Sequence, residues 1–219
     1  MHEKKYYRNL AIEKRSLITY DEIIEKSRII SEQILSMPYL EKSQHIFCYL
    51  SSKEKKEVNT DIIIKSLLSK NKNVYIPGTN WKEKKINIYN IKKFPIESNK
   101  FIMKYGIYEP IDKYFIKNSG VDLNILILPG TAGDASGTRY GYGSGFFDKL
   151  LLELKKIKIE LLKILPLFDC QLFPELPREE HDIPVDIIVT ESKVIYTSHC
   201  SNSKPSIISF SSFSNKPVF

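Results

Sequence analysis

The residues best suited to chemistry lie between Asn124 and Leu152, NILILPGTAGDASGTRYGYGSGFFDKLLL. Ile125 to Leu128 is an apolar run of strand length, stopped by Pro129-Gly130. Thr131 to Tyr142 reads as a loop, punctuated by Gly133, Gly137 and Gly141. From about Gly143 the pattern turns helical, with Phe146, Phe147, Leu150, Leu151 and Leu154 at spacings of three and four. A strand, a glycine-rich loop and a helix start make an anion site: backbone N–H groups approach the anion and the helix N-terminus offers unpaired donors and positive dipole. Arg139 and Arg8 add charge. Asp148, in the first turn of that helix, would repel a phosphate unless a cation lay between them, and Mg²⁺ held by a carboxylate and substrate phosphates is the usual arrangement. The stretch points to a magnesium nucleotide. The plain alternative is a turn between strand and helix, with Asp148 as a dipole partner. Neither the Walker pattern nor G-x-G-x-x-G is present.

Other residues can join such a site only if the fold brings them there. Lys4 and Arg8 fall at i and i+4 on one face of a helix expected over Lys4 to Lys14, which from this segment alone reads as a frayed, solvated terminal helix. Glu57 stands after a strand and before a helix, where ligands bind in open α/β sheets, or it merely serves the helix start. Asp182, in Glu180-His181-Asp182 before Pro184, reads by itself as a solvated acidic turn.

The elements that must position these residues follow from periodicity. Thr19-Tyr20-Asp21-Glu22 is a capping box before a helix whose stripe is Ile23, Ser27, Ile30 and Ile34, ending near Met37-Pro38. Strands are expected over His45 to Leu50, Asn73 to Pro77, Lys85 to Ile91, Ile125 to Leu128, Ile159 to Leu167 and Ile187 to Thr190, with Val194 to Tyr196 as a hairpin partner. A third helix opens at Glu57–Thr60, with Ile62, Ile63, Ser66 and Leu67 packed. Trp81 reads as a cap over a core edge, Tyr108-Glu109-Pro110 as an extended turn, and 111–122 as a polar connector. Strands alternating with helices predict a three-layer α/β/α domain with a mostly parallel, Rossmann-like central sheet over residues 1–199. Residues 200–219 read as a polar, Ser-rich tail.

Composition narrows the class. The chain has 219 residues, 42% of them hydrophobic, enough for one domain with a sizeable core. No run approaches a membrane span, and MHEKKYYRNLAIEKR is not a signal peptide, so a cytoplasmic protein is expected. Cys48, Cys170 and Cys200 form no pair spacing, which predicts reduced thiols and no zinc site. The net charge of +7, from 33 basic against 26 acidic residues, favours polyanionic small molecules. Interspersed acids, as in KEKKE at 53–57, argue against nucleic acid.

The order of motifs is Lys4-x-x-x-Arg8, Glu57-Val-x-Thr60, Ile-Tyr-Glu109-Pro110, LPG followed by Asp134-x-x-Gly137-x-Arg139-x-Gly-Tyr-Gly-x-Gly145-Phe-Phe-Asp148, and Gln171 followed by His181-Asp182-Ile-Pro-Val-Asp186 and Thr-Glu191. This resembles the 5-formyltetrahydrofolate cyclo-ligase, or methenyltetrahydrofolate synthetase, family from about Lys4 to Glu191. The resemblance implies ATP- and Mg²⁺-dependent cyclisation of 5-formyltetrahydrofolate, with or without a polyglutamate chain, to 5,10-methenyltetrahydrofolate, with ADP and phosphate released. The formyl oxygen is phosphorylated and a neighbouring nitrogen closes on the activated carbon. By matched position, Lys4, Arg8, Arg139, Tyr140, Gly141, Tyr142, Gly143, Ser144, Gly145, Phe146 and Phe147 hold ATP. Asp148 and Asp182 hold Mg²⁺, and Leu50 and Glu57 line the folate site. A monomer is expected. Ser144 replaces a lysine found in many members, Phe146 and Phe147 replace tyrosines, and Gly133 replaces a phenylalanine, which is expected to enlarge the pocket wall. A non-catalytic folate- or nucleotide-binding homologue and another Mg-nucleotide ligase or kinase are the alternatives.

Overall fold

A computed structural model describes residues 2–96, 98–104, 107–111, 116–118, 122–157, 160–200 and 206–209. Five helices occur among them: α1 (His2–Ser16), α2 (Tyr20–Leu35), α3 (Pro38–Lys42), α4 (Asp61–Ser69) and α5 (Phe146–Lys156). The strands, in chain order, are β1 (His45–Cys48), β2 (Asn73–Asn80), β3 (Lys85–Ile91), β4 (Phe101–Lys104), β5 (Ile107–Pro110), β6 (Ile116–Asn118), β7 (Ile125–Ile127), β8 (Ala132–Asp134), β9 (Arg139–Tyr140), β10 (Leu162–Pro166), β11 (Leu172–Phe173), β12 (Ile187–Val189), β13 (Lys193–Tyr196) and β14 (Ser206–Ser209).

The main sheet has the order β14-β13-β12-β10-β7-β1-β2-β3-β6. Its five central strands, β12 to β2, are parallel, and antiparallel pairs flank them on both sides. Alternation along each strand sends side chains to opposite faces. Ile46, Ile125, Ile127, Ile164, Ile187 and Val189 join one core with α2, α3 and α4, whereas Phe47, Leu126, Leu165 and Ile188 join another under Leu150, Leu151 and Leu154 of α5. Helices therefore cover both faces, as the expected three-layer fold requires. Near-continuous apolar runs are what strands buried on both faces need.

Chain order makes β1 and β7 special. From β1 the chain crosses through α4 to β2 on one side; from β7 it crosses through α5 to β10 on the other. Neighbouring strands whose connections diverge leave a crevice at their carboxyl ends. The segments leaving these two strands, 49–60 and 128–145, contain Leu50, Glu57 and the glycine-rich stretch.

Several expectations need correction. Residues 131–142 are not simply a loop: β8 and β9 form a hairpin, extended by β11 into a three-stranded sheet. Asp134 folds it, accepting from Ser136 N (2.9 Å), Thr138 N (3.1 Å) and Leu176 N (2.7 Å). Helix α1 packs on this sheet through Ala11, beside Ala132, Tyr140, Phe173 and Leu176, so it is no frayed terminus. In α4 the buried stripe is Ile63, Ile64 and Leu67, and Ile62 faces outward. Tyr108-Glu109-Pro110 lies in β5, paired with β4, because a residue preceding proline favours extended backbone. Gly133 does not widen a pocket. A side chain there would meet Leu167 at 2.9 Å and Leu165 at 3.1 Å, and none of the three lines the cavity at the carboxyl ends of β1 and β7. Of the Ser-rich stretch, Ser206–Ser209 pairs with β13, while 201–205 and 210–219 lie outside the described residues, as do 112–115 and 119–121 of the connector and Ile159 of the strand-like run.

The capping box of α2 is formed in both directions: Glu22 N–H donates to Thr19 Oγ1 at 3.3 Å and Thr19 N–H to Glu22 Oε2 at 2.8 Å. Thr19→Ala should cost about 1 kcal/mol and lower the thermal midpoint by about 2–4 °C. An unchanged midpoint in thermal denaturation would show that the reciprocal bonds contribute nothing.

Candidate active site

A cavity of about 260 Å³ opens at the carboxyl ends of β1 and β7. Every residue matched to the family site by position lines it: Lys4 and Arg8 from α1, Leu50 and Glu57 after β1, Arg139 to Asp148, and Asp182. Residues 178 positions apart meet directly, since Lys4 Nζ donates to Asp182 Oδ2 at 2.6 Å.

Each group is placed by its local element. Helix geometry sets Lys4 and Arg8 one turn apart on the face above Tyr140, whose ring centroid lies 6.0 Å from Lys4 Nζ and 5.4 Å from Arg8 Cζ. Arg139, on β9, is buried; its Nη1 donates to Pro129 O at 3.2 Å and its Nη2 pairs with Asp148. Beyond it the backbone turns left-handed at Gly143 (φ 96°) and Gly145 (φ 72°), a conformation that only glycine adopts freely. Gly145 caps α5 with no side-chain bond, and open space lies where its side chain would be. A side chain at Gly143 would come within 3.7 Å of the Arg8 guanidinium. Phe146 meets Trp81 edge-on at 5.3 Å, and Phe147 meets Phe47 at 6.4 Å. Ser144 is exposed on the rim.

Electrostatics divide the site into neutralised and waiting parts. Asp182 is paired with Lys4, which also reaches Glu179 Oε2 at 3.1 Å. Burial raises the Asp182 carboxyl, but Lys4 and the Glu179 N–H outweigh it and hold it below the ordinary carboxylate range. Burial lowers the Arg139 guanidinium against the opposing pull of Asp148 and Asp182, yet arginine keeps its charge in any protein setting. Burial pushes the Tyr140 phenol up to about 12, so it stays neutral. Two buried donors, Arg8 Nε and Arg139 Nε, have no partner among the described residues. Orphaned charged donors beside a helix start and an open glycine cradle suit a polyphosphate. Asp148 spends one oxygen on Arg139 and is half-exposed, so it keeps a second oxygen for a hard cation. The expected Asp148–Asp182 pair thus shares one cavity, but each carboxylate is held by its own basic side chain rather than facing the other.

Among the lining residues to which sequence reasoning gave no site role are Lys55, Thr79, Trp81, Tyr108 and Glu109. Trp81 is a cavity wall as well as an edge cap. Glu109 is buried on β5 and accepts from Thr79 N at 2.5 Å, a bond between strands that no local pattern announces. Arg15 was also missed, although it falls seven residues past Arg8, on the same helical face.

The model of the 5-formyltetrahydrofolate cyclo-ligase family matches residues 1–191. The chain belongs to this family. It is 29% identical over 188 residues to a probable 5-formyltetrahydrofolate cyclo-ligase of Schizosaccharomyces pombe, covering 80% of this chain and 89% of the relative. It is 30% identical over 165 residues to the 5-formyltetrahydrofolate cyclo-ligase of Haemophilus influenzae, covering 73% and 83%. The solved 5,10-methenyltetrahydrofolate synthetase of Aquifex aeolicus superposes with a TM-score of 0.75 at 26% identity, covering 92% of this chain and 94% of that one. Cyclo-ligase membership agrees with the chemistry of the cavity. Among the described residues, no helix is long and apolar enough to cross a membrane.

The Lys4–Asp182 pair predicts a pH dependence. The folded carboxyl titrates below its unfolded value of about 4, so its contribution is present above that pH and is lost as pH falls through the folded value. Asp182→Asn should therefore be less stable than wild type at neutral pH, and the two should converge in acid. A stability gap in urea denaturation that does not shrink toward acid pH would contradict this role.

Proposed function

We propose that this chain converts 5-formyltetrahydrofolate to 5,10-methenyltetrahydrofolate, consuming ATP with Mg²⁺ and releasing ADP and phosphate. The observation that carries this reading is the convergence of Lys4, Arg8, Arg139, Asp148 and Asp182 with Leu50 and Glu57 on one cavity. An amide-like formyl oxygen is a poor leaving group. Transferring the γ-phosphoryl to it makes one, and attack by the neighbouring amine nitrogen on the formyl carbon then expels phosphate while that nitrogen gives up its proton.

Phosphoryl transfer asks the protein mainly to position groups and neutralise charge. Arg8, Arg139 and the N–H groups around Gly143 to Phe147 are the ones to receive the triphosphate. Lys4 holds Asp182 at the cavity edge, and Arg139 orients Asp148. Asp148 and Asp182 would hold Mg²⁺, which supplies charge neutralisation between the phosphates. Leu50 and Glu57 face the folate. A monomer acting in the cytoplasm, on folates with or without a polyglutamate chain, belongs to the same reading.

The assay is growth of the methenyl chromophore from 5-formyltetrahydrofolate, with and without ATP and with Mg²⁺ chelated. Growth should require both. ATP binding without turnover would favour a non-catalytic binding protein instead. Asp148→Asn should lower turnover about 100-fold or more and raise the Mg²⁺ concentration needed; unchanged values would remove the metal role. Ser144→Lys should tighten apparent ATP affinity, since one charge-assisted contact is worth about 1.5–3 kcal/mol. Unchanged or weaker affinity would show that the rim position does not reach phosphate.

A further inference from the structure

On the face of helix α1 that bears Lys4 and Arg8 lies a further cation, Arg15, that the proposed reaction does not use. Arg15 is only 2% exposed, and its Nη2 donates to the Tyr142 hydroxyl at 2.7 Å. No carboxylate lies within ion-pair distance of it among the described residues. A buried guanidinium needs compensation, and here it comes through an intermediary. The Tyr142 hydroxyl accepts from Arg15 and donates to Glu57 Oε1 at 2.8 Å, while Glu57 Oε2 accepts the Ser52 N–H at 2.8 Å. Lys55 Nζ sits 4.4 Å from the Tyr142 ring centroid. Lys56 Nζ donates to Ser16 O at 2.6 Å and Ile18 O at 2.7 Å, just past Arg15.

The segments that leave β1 and β7 are thus tied to each other at the end of α1. One segment carries Glu57, the other carries Tyr142 inside the glycine-rich stretch. A hydroxyl that accepts from a cation and donates to a carboxylate is polarised from both sides, so its two bonds strengthen together. Displacing Tyr142 would loosen Glu57, and displacing Glu57 would leave Arg15 less compensated.

We propose that Arg15 is a positioning residue that couples the two co-substrates: through Tyr142 and Glu57, occupancy of the nucleotide segment sets the substrate segment, and the reverse. The inference rests on the ATP and folate reading above. Coupling between binding sites is reciprocal, so a single factor describes both directions.

The test uses a non-hydrolysable ATP analogue with Mg²⁺ and 5-formyltetrahydrofolate, with binding followed by calorimetry or by fluorescence of Trp81, the lone tryptophan, in the cavity wall. In the wild type each ligand should tighten the other by about fivefold or more. Tyr142→Phe removes only the hydroxyl, and Arg15→Lys keeps the charge while losing the reach. Both should bring the factor below about twofold, and the double variant should lose no more than either single one, as members of one unit do. Wild-type ligands that bind independently, or a coupling factor that survives Tyr142→Phe, would overturn the inference. A lower melting temperature with coupling intact would reduce Arg15 to a structural clamp and overturn it as well. If Arg15→Lys does not fold, Tyr142→Phe decides alone. A wild type that binds neither ligand would sink the proposed function itself, an outcome distinct from the others.

Discussion

Arg139 is a permanent charge taken out of water, and most of the cavity is arranged around that fact. Dehydrating a guanidinium costs several kcal/mol unless hydrogen bonds and opposite charge replace the water. Pro129 O and Asp148 replace part of it, and the field of Asp182 adds more. One donor, Nε, has no partner among the described residues. Arg8, half-buried across the glycine turn, likewise has an Nε with no partner among the described residues. The cavity thus holds positive charge that its own acids only partly offset, the condition on which the proposed polyphosphate binding rests.

The fold supplies this arrangement by topology. Strands β1 and β7 lie side by side, and their continuations diverge to helices on opposite faces, leaving the crevice. The hairpin of β8 and β9 then lifts Arg139 above the sheet end and gives α1 a surface to pack on. Helix α1 brings Lys4, Arg8 and Arg15 on one face, held down by Ala11 and by Tyr7 against Phe173 rather than by the main cores. The site's cations therefore depend on a small satellite cluster, and damage there would reach the chemistry before it reached global stability.

Much of this was legible in the chain. Apolar runs located the parallel strands, the capping box located α2, and the strand–glycine–helix order located the glycine-rich stretch that lines the cavity. Residues with local signatures were readable because helix starts and tight turns use backbone chemistry confined to a few positions. The hairpin inside the glycine-rich stretch was hidden, because its strands are two and three residues long and are held by Asp134 reaching Leu176. Glu109 and Trp81 were hidden for a similar reason: their roles exist only once β5 and the end of β2 meet the cavity. The pairing of Lys4 with Asp182 spans nearly the whole chain, and only the family resemblance pointed to both. Arg15 was different, since its spacing from Arg8 was plain; its significance lay in Tyr142 and Glu57, which sequence assigned to separate ligands.

If the cavity exists to place a phosphoryl group on the formyl oxygen, that oxygen must leave with the phosphate. The most direct measurement is to follow a heavy-isotope label on the formyl oxygen of 5-formyltetrahydrofolate through one turnover. The account predicts that the label appears in inorganic phosphate, in step with methenyl formation. Label released as water, with unlabelled phosphate, would contradict it.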